Sequence, residues 1–205
     1  GLKSVALNAV NEPLIRPDLH KFVSYADQKG ILDIIIHTNG MLLSPTISAQ
    51  LIDSGLTKLM VSLDAFTQET YDKIRTGGNL KQITENIHSF LKVRSRKQSR
   101  LPVLSVNFVK MKTNQHELDE FVNYWDEYVD YFAIQEYMNP FPDDEDLAVL
   151  HIVNDDDRKE FRCSHPWQRA KISANGSVYP YKFNYWCIFT ILQLNSSFVT
   201  IFKIS

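Results

Sequence analysis

Five groups of small polar and acidic residues recur along the 205-residue chain, each at the end of a short apolar run. They are Asn11-Glu12-Pro13, His37-Thr38-Asn39-Gly40, Ser62-Leu63-Asp64, Asn107, and Gln135-Glu136. Ser62 and Asp64 are two apart in a strand-like run, which predicts both side chains on one face. A hydroxyl and a carboxylate so placed can hold a ribose diol. Glu12 precedes Pro13, which biases Glu12 toward extended backbone, and a carboxylate there can accept from an ammonium group. Together these suit a ligand with both a sugar and an amine. Taken singly, Glu12 and Asp64 also fit a plainer role as caps of the helices that follow. A further reading makes them the acid and base of an unrelated parallel α/β enzyme.

Such residues need elements that bring them to one place. Residues 5–7, 33–37, 59–63, 104–109 and 131–135 are short, nearly all apolar and rich in β-branched side chains. That predicts parallel strands covered on both faces. Between them the periodicity is helical. Pro17-Asp18 opens a helix with Leu19, Phe22, Val23 and Ala26 on one face, and Gly30 closes it. Ser44-Pro45 is an N-cap followed by proline at the first helical position, and Gly55 ends that helix. Leu80, Ile83, Ile87, Phe90 and Leu91 mark a third stripe. Asn114 with Glu117 reads as a capping box ahead of Leu118, Phe121, Val122, Trp125 and Tyr128. Strands alternating with helices imply an α/β class with right-handed crossovers, a parallel sheet or barrel. Ligands of such folds bind outside the carboxyl ends of the strands, where all five polar groups fall.

After Tyr137 the character changes. Pro140, Pro142 and the acidic run over 143–146 read as a loop, and Asn175-Gly176 predicts a small hairpin within 161–180. The tail over 182–205 carries no Asp or Glu and many aromatics, and reads as foreign to the rest or as a pair of edge strands.

Composition narrows the function class. Hydrophobic residues make up 44% and charged residues 22%, the proportions of a globular protein. A net charge of −2 lacks the basic footprint of a nucleic-acid binder, and no apolar run is long enough for a membrane span. The two cysteines, Cys163 and Cys187, cannot build a disulfide framework and point to a reducing, cytoplasmic setting. Cys163-x-His165 lacks the second pair a zinc site needs. The basic run over 92–100 suits a helix end with a solvated face.

Asn8-Ala9-Val10-Asn11-Glu12-Pro13-Leu14 resembles the Gly-Gly-Glu-Pro motif of radical S-adenosylmethionine enzymes. His37-Thr38-Asn39-Gly40 is similar to their third-strand ending, and Val61-Ser62-Leu63-Asp64-Ala65 to their fourth. Tyr71-Asp72-Lys73-Ile74-Arg75, Gly77 and Asn86-Ile87 follow in the family's order. Cys163-Ser164-His165-Pro166-Trp167, Ile172, and Asn175 to Pro180 resemble the start of a SPASM extension. The resemblance implies a partial (β/α) TIM-like barrel over 1–139, a linker with an incomplete extension over 140–181, and the atypical tail. It implies S-adenosylmethionine on a [4Fe–4S] cluster, a 5′-deoxyadenosyl radical, and a peptide or small-molecule substrate, with a reductant protein as partner. By the match, Asn11 and Glu12 lie at the methionine amino group, Ser62 and Asp64 near the ribose, and Asn107 in the same pocket. Cys163 is the first ligand of an auxiliary cluster.

The sequence departs from the family where metal ligands belong. It has no Cys-x3-Cys-x2-Cys, Val10 and Asn11 stand in the two glycine positions, and Tyr181 stands where the extension's second cysteine is expected. These departures predict a barrel without its first strand, truncated at both ends and inactive as it stands. The rival expectation is a non-catalytic binding protein on the same barrel.

Overall fold

The computed structural model describes residues 1–8, 11–137, 170–172 and 176–180. The strands are β1 (Ser4–Ala6), β2 (Asp33–Thr38), β3 (Lys58–Ser62), β4 (Val103–Lys110) and β5 (Tyr131–Glu136). They form one sheet in the order β1-β2-β3-β4-β5, and every neighbouring pair is parallel. The helices α1 (Leu19–Gln28), α2 (Pro45–Asp53), α3 (Gln68–Ile74), α4 (Leu80–Arg96) and α5 (Leu118–Trp125) lie in the connections. This is an open α/β sheet, a part of a barrel that these strands do not close.

Alternation along the strands explains the layers. Ile34, Ile36, Leu59, Val61, Leu104, Val106 and Phe108 are fully buried, and they pack in one core with Val23, Leu51, Ile83, Ile87, Phe90 and Phe121 of the helices. Each such side chain contributes roughly 1.5–3 kcal/mol through burial. The alternate positions Asp33, Ile35, His37, Lys58, Met60, Ser62 and Asn107 are only half-buried. Among the described residues β2, β3 and β4 are therefore buried on one face and, Ser105 apart, only half-buried on the other, not covered on both as their apolar content suggested. The half-buried row, read again in the sequence, carries Asp, His, Lys, Met, Ser and Asn among the β-branched residues.

Local signals act largely as expected. Ser44 Oγ accepts from the Ile47 amide at 3.2 Å with Pro45 opening α2, a cap worth about 1 kcal/mol. On α1, Leu19, Val23 and Ala26 are buried, but Phe22 is turned out, with the Arg16 guanidinium 4.4 Å from its ring centre. The basic run is not a free solvated face either. Arg94 donates to the Pro102 carbonyl and Asp130, and Lys97 pairs with Asp53 at 2.7 Å. Helix α3, whose polar sequence Gln-Glu-Thr-Tyr-Asp-Lys-Ile shows little apolar periodicity, is fixed by its cap, Thr67, and by the buried Tyr71.

A separate small unit contains an antiparallel pair, β6 (Ala170–Ile172) with β7 (Val178–Pro180). Gly176 between them has φ +81°, a conformation that favours glycine, and the antiparallel pair on either side of it is the hairpin the sequence predicts within 161–180. Cys163 and the tail over 182–205 lie outside the described residues.

Candidate functional site

The carboxyl ends of β2, β3 and β4 are built by local chemistry, starting with Glu12. Its Oε1 accepts from the Leu14 amide at 3.1 Å and the Thr38 hydroxyl at 2.7 Å, and Oε2 accepts from the Asn39 amide at 2.7 Å. Glu12 thus does cap the 3-10 turn Pro13–Ile15, and it also ties that turn to the end of β2. Among the described residues, Oε2 has no second hydrogen-bond partner. Asn11 beside it is exposed. Upstream, Asn8 Oδ1 accepts from the His37 amide at 2.9 Å.

The β2 turn is rigid for a definite reason. Thr38 Oγ1 accepts from the Gly40 amide at 3.0 Å, and Asn86 Nδ2 donates to the Gly40 and Met41 carbonyls at 2.9 and 3.1 Å. Gly40 has φ +78°, and a Cβ there would stand 2.9 Å from Ile83 Cγ2 and 3.0 Å from Val61 Cγ1. Only glycine fits this corner.

Ser62 and Asn107 are register partners across β3 and β4. Both are half-buried on the open face of the sheet. Ser105, wholly buried, donates to Asn107 Oδ1 at 3.1 Å. That bond fixes the amide so that Nδ2 remains a donor. Among the described residues, neither Ser62 Oγ nor Asn107 Nδ2 has a hydrogen-bond partner.

Asp64 departs from its expected place. β3 ends at Ser62, and Asp64 lies beyond it at φ +61°, so strand alternation does not carry it to the face of Ser62. It is 3% exposed. Its Oδ2 accepts from Arg75 Nε at 2.9 Å and from Nη2 of the same guanidinium, and Oδ1 accepts from the Val109 amide at 2.7 Å. These three bonds turn the Asp64 carboxylate toward Arg75 and β4. It does not cap the next helix, a role that Thr67 fills through its bond from the Thr70 amide.

The capping box expected at Asn114 and Glu117 is likewise absent, because both side chains reach elsewhere. Asn114 Nδ2 donates to the Asp64 and Val109 carbonyls at 2.7 and 2.9 Å, while Oδ1 accepts from Met111 N at 2.7 Å. Glu117 accepts from the Phe66 and Thr67 amides at 2.7 and 3.2 Å and from the Thr67 hydroxyl. Burial alone would raise its pKa, but the bonds from Thr67, Phe66 and Thr70 outweigh it and hold the carboxyl below its ordinary value. Sequence reasoning missed this clasp and the part of Arg75 in it. No local signal singles Glu117 out, because it stands in the polar run Asn114-Gln115-His116 ahead of Asp119 and Glu120. His37, on the open face, has its pKa lowered by burial.

Comparison with known proteins adds to this geometry. A sequence profile of the radical SAM superfamily matches residues 9–125, which span the three built strand ends. The chain belongs to the radical SAM superfamily. It is similar to a probable GTP 3′,8-cyclase of Methanococcus maripaludis, 33% identical over 124 residues, covering 60% of this chain and 39% of that protein. A second from another strain of that organism is 30% identical over 152 residues, 74% of this chain and 47% of the relative. A GTP 3′,8-cyclase of Limosilactobacillus fermentum is 35% identical over 115 residues, 55% and 32% of the two chains. The chain thus spans less than half the length of these curated relatives.

Radical SAM proteins use S-adenosylmethionine and a [4Fe–4S] cluster. The two groups fit this chain differently. Cluster iron needs thiolates. The sequence has two cysteines, Cys163 and Cys187, and the described strand ends present none, so the strand-end residues do not themselves hold a cluster. The polar groups of S-adenosylmethionine do have counterparts: Glu12 Oε2 for an ammonium, and Ser62 Oγ and Asn107 Nδ2 for a nucleoside. Among the described residues no group of three or more His, Cys, Asp or Glu converges to hold a metal, and no helix is long and apolar enough to cross a membrane.

Proposed function

We propose that this chain is the S-adenosylmethionine-binding portion of a radical SAM enzyme whose substrate is a small molecule, a purine nucleoside triphosphate. The observation that carries the cofactor reading is the pair Ser62 and Asn107. The two stand in register at adjacent strand ends, with free polar atoms on the open face and the orientation of the amide set by Ser105. Glu12 takes the amino group, Asn11 lies at its entrance, and Asp64 acts from behind the site. When bound to an iron–sulfur cluster, S-adenosylmethionine supplies a 5′-deoxyadenosyl radical for hydrogen abstraction. This chain's own residues bind and orient its nucleoside and amine ends.

The substrate class rests on the relatives, whose names specify GTP and ring closure between its 3′ and 8 positions. They favour a nucleotide over the peptide substrate that a SPASM-type extension suggested. Cys163, as an auxiliary-cluster ligand, and a reductant protein in the cytoplasm complete the proposal, with core barrel 1–139, extension 140–181 and tail 182–205 as its parts.

Calorimetric titration of the full chain with S-adenosylmethionine tests the cofactor reading. Binding weakened about tenfold by Ser62→Ala or Asn107→Ala, the weight of one ~1.4 kcal/mol contact, supports it. Binding indifferent to both substitutions, or none, overturns it. Saturation-transfer NMR with GTP, UTP and an unrelated peptide tests the substrate class, which fails if GTP shows no advantage.

A further inference from the structure

We infer that Asp64 is a positioning residue for the strand-end site: with Arg75 and Asn114 it locks the ends of β3 and β4 so that Ser62 and Asn107 face a ligand side by side. This rests on the cofactor reading above and deepens it.

Beyond Ser62 the chain must leave the sheet, and parallel pairing by itself supplies nothing to fix the last residue pair. Here the Asn107 carbonyl accepts from two successive amides, Leu63 at 3.1 Å and Asp64 at 3.4 Å. The left-handed backbone at Asp64 turns its carboxylate back onto β4, where it takes the Val109 amide at 2.7 Å, two residues beyond Asn107. Asn107 is thus held on one side by its carbonyl and on the other through Val109, both by the segment that follows Ser62.

Arg75 sets the opposite end of the lever. Its Nε and Nη2 both engage Asp64 Oδ2, a charge-assisted contact that holds that oxygen while Val109 N holds Oδ1. Asn114 closes the arrangement from the β4–α5 loop by bridging the Asp64 and Val109 carbonyls. At 3% exposure, Asp64 is shut off from the open face and accepts three hydrogen bonds from within the protein. It therefore acts on a ligand through Ser62 and Asn107.

Two ligands separate this role from direct contact: S-adenosylhomocysteine and its 2′-deoxyribose analogue, titrated calorimetrically against the full chain. The unaltered protein is expected to prefer the ribose form. Asp64→Asn keeps an acceptor for Val109 but sets an amide donor against Arg75. It is expected to weaken both ligands by the same factor, about tenfold, leaving the preference unchanged, whereas Ser62→Ala abolishes the preference. Arg75→Lys, which keeps the charge but loses the fork, is expected to fall between, and it serves if Asp64→Asn does not fold. Arg94→Ala, which removes the remote pair with Asp130, controls for general destabilisation and is expected to leave both affinities intact.

Loss of the ribose preference in Asp64→Asn would mean direct contact and overturn the inference. So would unchanged affinities in Asp64→Asn and Arg75→Lys, or an equal loss in Arg94→Ala. An unaltered chain that binds neither ligand overturns the cofactor reading, and this inference with it.

Discussion

Glu117 braces the N-cap residue of α3, Thr67, 50 residues before it: its carboxylate accepts from the Thr67 hydroxyl and amide, and Thr67 Oγ1 in turn accepts from the Thr70 amide at the start of α3. The β3–α3 and β4–α5 loops are therefore one unit, and a single carboxylate joins them. Glu117→Gln retains one acceptor but loses the charge, and should cost about 1.5–3 kcal/mol, the range for hydrogen bonds to charged groups. The sign of the pH dependence follows from the lowered pKa of Glu117. The folded state binds fewer protons than the unfolded state, so the stabilisation is complete above the unfolded value of ~4.3 and is lost as pH falls through the folded value. Urea unfolding of both proteins at pH 7, 5 and 3 should show a gap that closes with acid. A gap of constant size would rule out the ionised carboxylate as its source.

Gly40 makes a second, purely steric prediction. A methyl group there meets Ile83 and Val61 at 2.9 and 3.0 Å on a backbone with φ +78°. The left-handed conformation costs roughly 1–2 kcal/mol for an alanine, and forcing the contact adds about 1–3 kcal/mol. Gly40→Ala should therefore lose at least ~2 kcal/mol in denaturant unfolding. At Gly77, with similar φ but open space, only the backbone cost applies, so the two variants should differ. Equal losses would show that Ile83 and Val61 yield freely.

Glu12→Gln should be no gentler than Glu12→Ala at the strand ends. The Asn39 amide donates to Oε2 at 2.7 Å, and the Thr38 hydroxyl and Leu14 amide donate to Oε1. A glutamine can satisfy one of these sides, but its NH2 then faces an N–H donor on the other. An unmet donor costs about 1–3 kcal/mol, and the β2 turn should loosen. Amide hydrogen exchange at Asn39 and Gly40 provides the measurement. Faster exchange in both variants is expected, and native protection in Glu12→Gln would refute the argument.

The strands, the order of the helices and the gathering of polar groups at the strand ends were legible because apolar runs, caps and glycines act over a few residues. Ser44, Gly55, Ile83 and Phe90 occupy the places their local patterns assign. What was not legible depends on contacts between distant segments. Alternation predicts Asp64 beside Ser62, but a left-handed turn stabilised by Arg75 and Val109 removes it from the strand. A three-residue spacing predicts a capping box at Asn114 and Glu117, but Asp64 and Thr67, 50 residues away, take both side chains. The one-sided burial of the sheet was written in the sequence, in the alternation of Asp33, Ile35 and His37 with Ile34, Ile36 and Thr38. Its high apolar content obscured it.

His37 offers a test of that one-sided burial. Its side chain lies on the open face, half-buried in the row with Met60 and Ser105, its register partners in sequence across β3 and β4. Burial lowers its pKa, because the cation loses hydration there. The unfolded chain takes up this proton near pH ~6.5, the folded chain only at lower pH. Between those values the unfolded state binds more protons, so stability falls as pH drops through that window. An NMR titration of the imidazole should give a midpoint below ~6.5, and His37→Asn should remove the matching slope from the stability profile. A midpoint at or above that value would mean that the face is wetter than its geometry indicates, or that an anion lies against the ring. Either result would weaken the view of this face as a sheltered wall for a nucleoside.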